Sequence, residues 1–113
     1  MSRHERQMRL AEVGPAGQAR LAASRIDVPL AGIPARVAAL YLAGAGVGRV
    51  RLRDGESAEC VHALDPGAGV EVEPSLPVRP LEAFDLRDPA AREVAAGALC
   101  ALEAVRVALT ERR

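Results

Sequence analysis

Every cationic side chain in this chain is arginine, and the spacing of three of them is where its chemistry begins. Arg49, Arg51 and Arg53 alternate with Val50 and Leu52, Glu71 and Glu73 alternate with Val70 and Val72, and Arg25-Ile-Asp-Val28 shows the same period. In an extended strand that period sends charges to one face and apolar residues to the other. If the Arg49 strand neighbours the Glu71 strand, the arginines oppose the glutamates, each cross-strand pair contributing about 0.2 to 1 kcal/mol. Such a face is either a solvated surface or a docking surface for an acidic or extended peptide. Arg49, Arg51, Arg53, Glu71 and Glu73 are its candidate contacts.

Other reactive groups are sparse. With no lysine, the chain has no Schiff-base amine and no ammonium to clamp a phosphate. Cys60-Val-His62 and the distant His4 lack the paired spacing of a zinc site, so no metal is expected. Cys100 stands in an apolar helical pattern, where a thiol acts as a small buried hydrophobe.

The 113 residues carry 15 basic and 15 acidic side chains, 50% apolar residues and 2% aromatic ones. One small domain with a core of Ala, Val and Leu follows, and zero net charge argues against nucleic-acid binding through a basic field. The opening Met-Ser-Arg-His-Glu-Arg leads into no signal-like apolar run, and no stretch approaches the roughly 20 apolar residues of a membrane span. A cytoplasmic location, away from membranes, is the expectation.

The elements that must hold the charged rows alternate between strand and helix. Residues 15–23 favour a helix, Arg25–Val28 a strand, and Pro34–Ala45 a helix opened by proline and ended by Gly44, Gly46 and Gly48. Arg49–Asp54 reads as the second strand, a loop rich in Gly, Pro and Asp follows, and Val70–Glu73 reads as the third strand. The last helix is the clearest: Asp88 can cap it, Pro89 fits its first position, and Val94, Ala98, Ala101, Leu102, Val105 and Leu109 recur at helical spacing. Gly97 inside it predicts a close packing contact, because a mid-helix glycine costs about 1 kcal/mol against alanine. A helix this apolar wants cover on two sides, one from its own sheet and one from another chain.

Several segments together resemble the ubiquitin-activating-enzyme-like ThiF/MoeB/HesA superfamily. They are Arg3-His-Glu-Arg-Gln7, Leu10 to Gly14, Gly17-Gln18, the strand at Arg25, and Ala39-Leu-Tyr-Leu-Ala-Gly-Ala-Gly-Val-Gly48 leading to Asp54. Ala63-Leu-Asp-Pro66 with Val70–Glu73, and Gly97 to Leu109, resemble later parts of the same fold. The resemblance implies a minimal Rossmann-like α/β domain, truncated relative to the family. Its mostly parallel sheet has three or more strands, helices lie mainly on one face, and a long C-terminal helix closes the chain. Its expected parts are an N-terminal dimerisation segment and helix (1–24), a β-α-β unit (25–54), a loop and third strand (55–88) and the C-terminal helix (89–112).

The family adenylates protein or peptide carboxylates with ATP and magnesium, and the resemblance assigns positions residue by residue. Its phosphate loop falls on Leu30–Ala35, where Gly32 alone remains of the glycines and Pro34 offers no amide to phosphate. Asp54 matches the ribose-binding acid, Arg6 the arginine that reaches a triphosphate across a dimer, and Glu56 a second aspartate. Six residues, Ser57–His62, stand where the family has an arginine segment and a lysine helix, and no magnesium aspartate aligns near Asp85-Leu-Arg-Asp88. Too few charge-stabilising groups remain for phosphoryl chemistry. Gly32, Asp54 and Arg6 are therefore read as relics, with no catalytic residue and no cofactor. The loss of the lysine helix is also expected to uncover the charged sheet face.

What the resemblance leaves is dimerisation, with Arg3, Arg6, Leu10, Leu99 and Leu102 as interface candidates, and recognition of a polypeptide. The leading expectation is a non-catalytic homodimer that binds a precursor peptide or acts as a scaffold in the modification of a ribosomally made peptide. The alternatives are an inactive partner subunit of a full-length adenylating enzyme and a residual ATP-binding enzyme.

Overall fold

The computed structural model describes residues 14–80 and 87–110. Its elements, in chain order, are α1 (Gly14–Ala22), β1 (Arg25–Asp27), α2 (Gly32–Ala45), β2 (Arg49–Leu52), α3 (Gly55–Leu64), β3 (Val70–Val72) and α4 (Pro89–Thr110). The strands form one parallel sheet in the order β1-β2-β3, with Arg25 beside Arg49, Asp27 beside Arg51, and Arg51 beside Glu71. The expected α/β architecture, with its parallel sheet and long last helix, is the one observed.

Strand periodicity decides the layers. Val28, Val50 and Leu52 are buried with Leu21 of α1, Ala35, Ala38, Ala39 and Leu42 of α2, Val61 of α3, and Cys100 and Ala101 of α4. All four helices thus contribute to one core on the apolar side of the sheet. Small side chains make this possible: the alanines of α2 let α4 approach until Gly97 lies against it. A Cβ on Gly97 would stand 2.5 Å from the Pro34 carbonyl oxygen and 2.7 Å from the Val37 Cβ, so the predicted close contact is there.

The helix ends follow local chemistry. Pro34 lies in the first turn of α2, where its missing amide costs no hydrogen bond, and Gly46 ends the helix at φ 98°, a left-handed cap suited to glycine. Asp88 accepts a hydrogen bond from the Ala90 amide at 3.0 Å and so caps α4.

Two expectations need correction. The segment after β2, expected as loop, is the ten-residue helix α3. Asp54 caps it, and Ser57 and Val61 face inward on it; Gly55 and the glycine and proline cluster at 66–69 obscure its signal. Because α3 packs on the apolar side, a missing helix there is not what leaves the opposite face uncovered. That face is open because no element among the described residues lies over it: a sheet built by two successive crossovers in one direction puts both connecting helices on the same side. Arg51 is 25% exposed there, with the Asp27 and Glu73 carboxylates beside it.

Among the described residues no helix is long and apolar enough to cross a membrane.

Candidate functional site

The C-terminal ends of β1 and β2 bring together the first turns of α2 and α3. Gly32 takes φ 66° there, in the left-handed region that favours glycine. Asp54, extended at the end of β2, accepts a 2.6 Å hydrogen bond from the Ser57 amide through Oδ1. That amide is the main reason its carboxyl is held below the ordinary aspartate range, helped by the Arg36 charge and the Gly32 amide. One carboxylate therefore serves the positive ends of two helices. Arg36 on α2 completes the cluster: its Nε donates to Ser57 Oγ at 3.2 Å and its Nη2 lies 3.4 Å from Glu56 Oε1.

Asp54, Gly32 and Glu56 are thus gathered at one place, with Arg36 and fully buried Ser57 as additional members. The sequence held a signal for Ser57, which follows Asp54 by three residues as the third helical position follows a cap, and none that pairs Arg36 with Ser57 or Glu56. A phosphate approaching the first turn of α2 meets a carboxylate already in place, and the loop contributes no amide at Pro34.

The opposite, charged sheet face carries the arginine row. Arg51 Nε and Nη2 hold Asp27 Oδ1 and Oδ2 at 2.6 and 2.8 Å in a bidentate fork, and Nη1 reaches Glu73 Oε1 at 4.0 Å. The fork holds the Asp27 carboxyl below its usual range. Arg49 pairs with Glu71 at 3.0 Å. Glu73 is itself held low, first by the Ser75 hydroxyl, which donates to its Oε2 at 2.6 Å. Arg53 departs from the row: strand pairing ends at Leu52, and Arg53 Nη1 donates to the Leu76 carbonyl at 2.8 Å. The row is a set of cross-strand ion pairs in which acids and arginines satisfy one another.

A third feature lies on the outer side of the helix layer. Tyr41 of α2 and Leu102 of α4 are 57% and 66% exposed and flank a shallow apolar cleft with Ala98 and Val105. Leu99 is half-buried. Arg3, Arg6 and Leu10 lie outside the described residues. Cys100 is buried, which pushes its thiol up, and Cys60 is half-buried. Among the described residues no group of three His, Cys, Asp or Glu side chains converges as a metal site would require.

Partial homology connects the chain to enzymes. It is 47% identical over 57 residues, half of its length, to the adenylyltransferase and sulfurtransferase uba4 of Neosartorya fischeri. It is 42% identical over 62 residues to the adenylyltransferase and sulfurtransferase MOCS3 of Aedes aegypti, and equally so to that of Anopheles gambiae. The chain spans only 12 to 14% of the length of these relatives. No family model and no solved structure matches it.

Proposed function

We propose that this chain is a non-catalytic, dimeric peptide-binding or scaffold module of the ThiF/MoeB type, an accessory in the modification of a ribosomally made peptide. One observation carries the non-catalytic part: Asp54, which the resemblance places at a ribose, accepts from the Ser57 amide as the cap of α3 and stands at the first turns of α2 and α3, where a phosphate would meet its charge. The partial likeness to adenylyltransferase and sulfurtransferase enzymes supports a related origin, and the Asp54 carboxylate beside the first turn of α2 is the reason to separate this chain from their activity. The charged face of Arg49, Arg51, Glu71 and Glu73 is what an extended peptide would meet.

Isothermal calorimetry with ATP and magnesium tests this reading. No binding heat is the expected result. A binding isotherm that disappears in Asp54→Ala would restore the nucleotide-binding alternative and overturn the reading.

A second reading, an inactive partner subunit for a larger adenylating enzyme, is favoured by the apolar cleft at Tyr41 and Leu102, which would pack against another chain. A chain that stays soluble and of constant mass without any such enzyme speaks for the first reading over the second.

A further inference from the structure

The outer side of the helix layer is an apolar face with a recess in it. In α2, Ile33, Val37 and Tyr41 recur every four residues, and in α4, Val94, Ala98 and Leu102 do the same, so each set forms one stripe. The stripes meet. Gly97 lies against Pro34 and Val37, and further along both helices Ala98, Ala101, Leu102 and Val105 share a cleft of about 280 Å³ with Tyr41 and Ala45. Contacts that advance together in this way mean that α2 and α4 run parallel. Ile33 and Val94 are 46% and 45% exposed, and Tyr41 and Leu102 more so. The patch is on the order of 500 Å², a size at which apolar surface on a monomer marks an interaction site.

We propose that this face packs on the same face of a second copy, Leu102 of each chain entering the other's cleft across a two-fold axis. The pairing rests on the dimeric part of the proposed function and gives it an interface. A two-fold contact uses one patch twice, so that patch must hold both a projection and a recess to receive it. Here Leu102 projects beside a cleft floored by alanines, with room for a leucine side chain. Charge allows the same pairing. The described lining of the cleft holds no charged side chain, and the chain carries 15 basic and 15 acidic groups, so two copies meet with no ion desolvated at the centre and no net repulsion.

Direction favours it too. Because α2 and α4 are parallel, like ends of their helix dipoles lie together, and a two-fold axis in the contact plane, perpendicular to both, lays the partner's pair antiparallel to them. Tyr41 suits the rim, since its ring can be covered while its hydroxyl stays in water. Two such patches bury on the order of 1,000 Å² together, where specific interfaces begin. The charged sheet face lies on the opposite side of the molecule and stays available to a peptide.

Sedimentation equilibrium on the full chain tests the proposal with wild type, Leu102→Glu, Leu102→Arg, a one-to-one mixture of these two variants, and Leu64→Glu, with circular dichroism as the check on folding. Wild type is expected to dimerise. Each Leu102 variant alone sets two like charges together at the axis, and its dissociation constant should rise roughly tenfold or more. The mixture should recover a heterodimer, because the two new charges are then of opposite sign. Leu64→Glu alters a leucine of α3 that is 73% exposed and outside the patch, and should leave the constant unchanged. Tyr41→Ala, which adds no charge, should weaken the dimer in the same direction as Leu102→Glu. A dimer unweakened by Leu102→Glu, or weakened as much by Leu64→Glu, overturns this interface and leaves the dimeric reading intact. A mixture that fails to recover overturns the axis at Leu102. A wild-type monomer at about 100 µM overturns both the interface and the dimeric reading, whether the cleft is then covered by residues 1–13 of the same chain or by a different protein.

Discussion

Asp54 shows how one side chain can keep its place and change its work. Its carboxylate accepts from the Ser57 amide at 2.6 Å and lies where α2 and α3 both begin, so removing it uncaps α3 and takes a negative charge from two helix N-termini. Asp54→Ala should cost about 1 kcal/mol, read as a drop of roughly 4 °C in melting temperature. The pH dependence has a definite sign. The folded-state pKa of Asp54, like that of Asp27, is depressed, so their contribution is present above the unfolded value of about 3.9 and is lost as pH falls through the folded value. Acid titration below about pH 4 should therefore destabilise wild type steeply, and Asp54→Ala less steeply, when urea midpoints are compared across pH.

Among the elements, α4 depends on a side chain that is not there, at Gly97. Alanine at an exposed helix position would gain about 1 kcal/mol in propensity, but here its Cβ would meet a backbone carbonyl of α2 that has no rotamer to yield. Gly97→Ala should lower stability by about 1 to 2 kcal/mol, and Gly97→Val by more, measured by urea unfolding. This contact was legible in the sequence because a glycine weakens a long apolar helix unless a neighbour leaves its Cβ no room. So were the strands, whose period-two charges had to lie on one face, and the pairing of Arg49 with Glu71, which needed only that β2 and β3 be neighbours. Helix α3 was hidden for a physical reason: ten residues beginning with glycine and ending beside Asp-Pro-Gly hold too few apolar positions to stand out from a loop, and the burial of Val61 in one core with Leu52 decides the matter in three dimensions. The role of Arg36 was hidden too, since its partners Ser57 and Glu56 are brought near only by the turn between β2 and α3.

At the scale of the whole molecule, the four helices among the described residues cover one face of a three-stranded sheet. A domain of this length buries only about two thirds of the surface its unfolded chain exposes, so any area covered by a second copy is a large share of its stability. That has a thermodynamic consequence separate from the dimer's mass. If folding and association are coupled, the melting temperature must rise with protein concentration, because mass action favours the state that associates. For wild type, a hundredfold increase in concentration above the dissociation constant should add roughly 2.7 kcal/mol to stability per association event, a shift of several degrees in a calorimetric scan. Leu102→Glu in the apolar cleft should show a flat melting temperature over the same range and agree with wild type at the dilute limit, since Leu102 is 66% exposed in its own chain. A concentration dependence equal in both proteins would place the association on a surface other than the cleft between Tyr41 and Leu102.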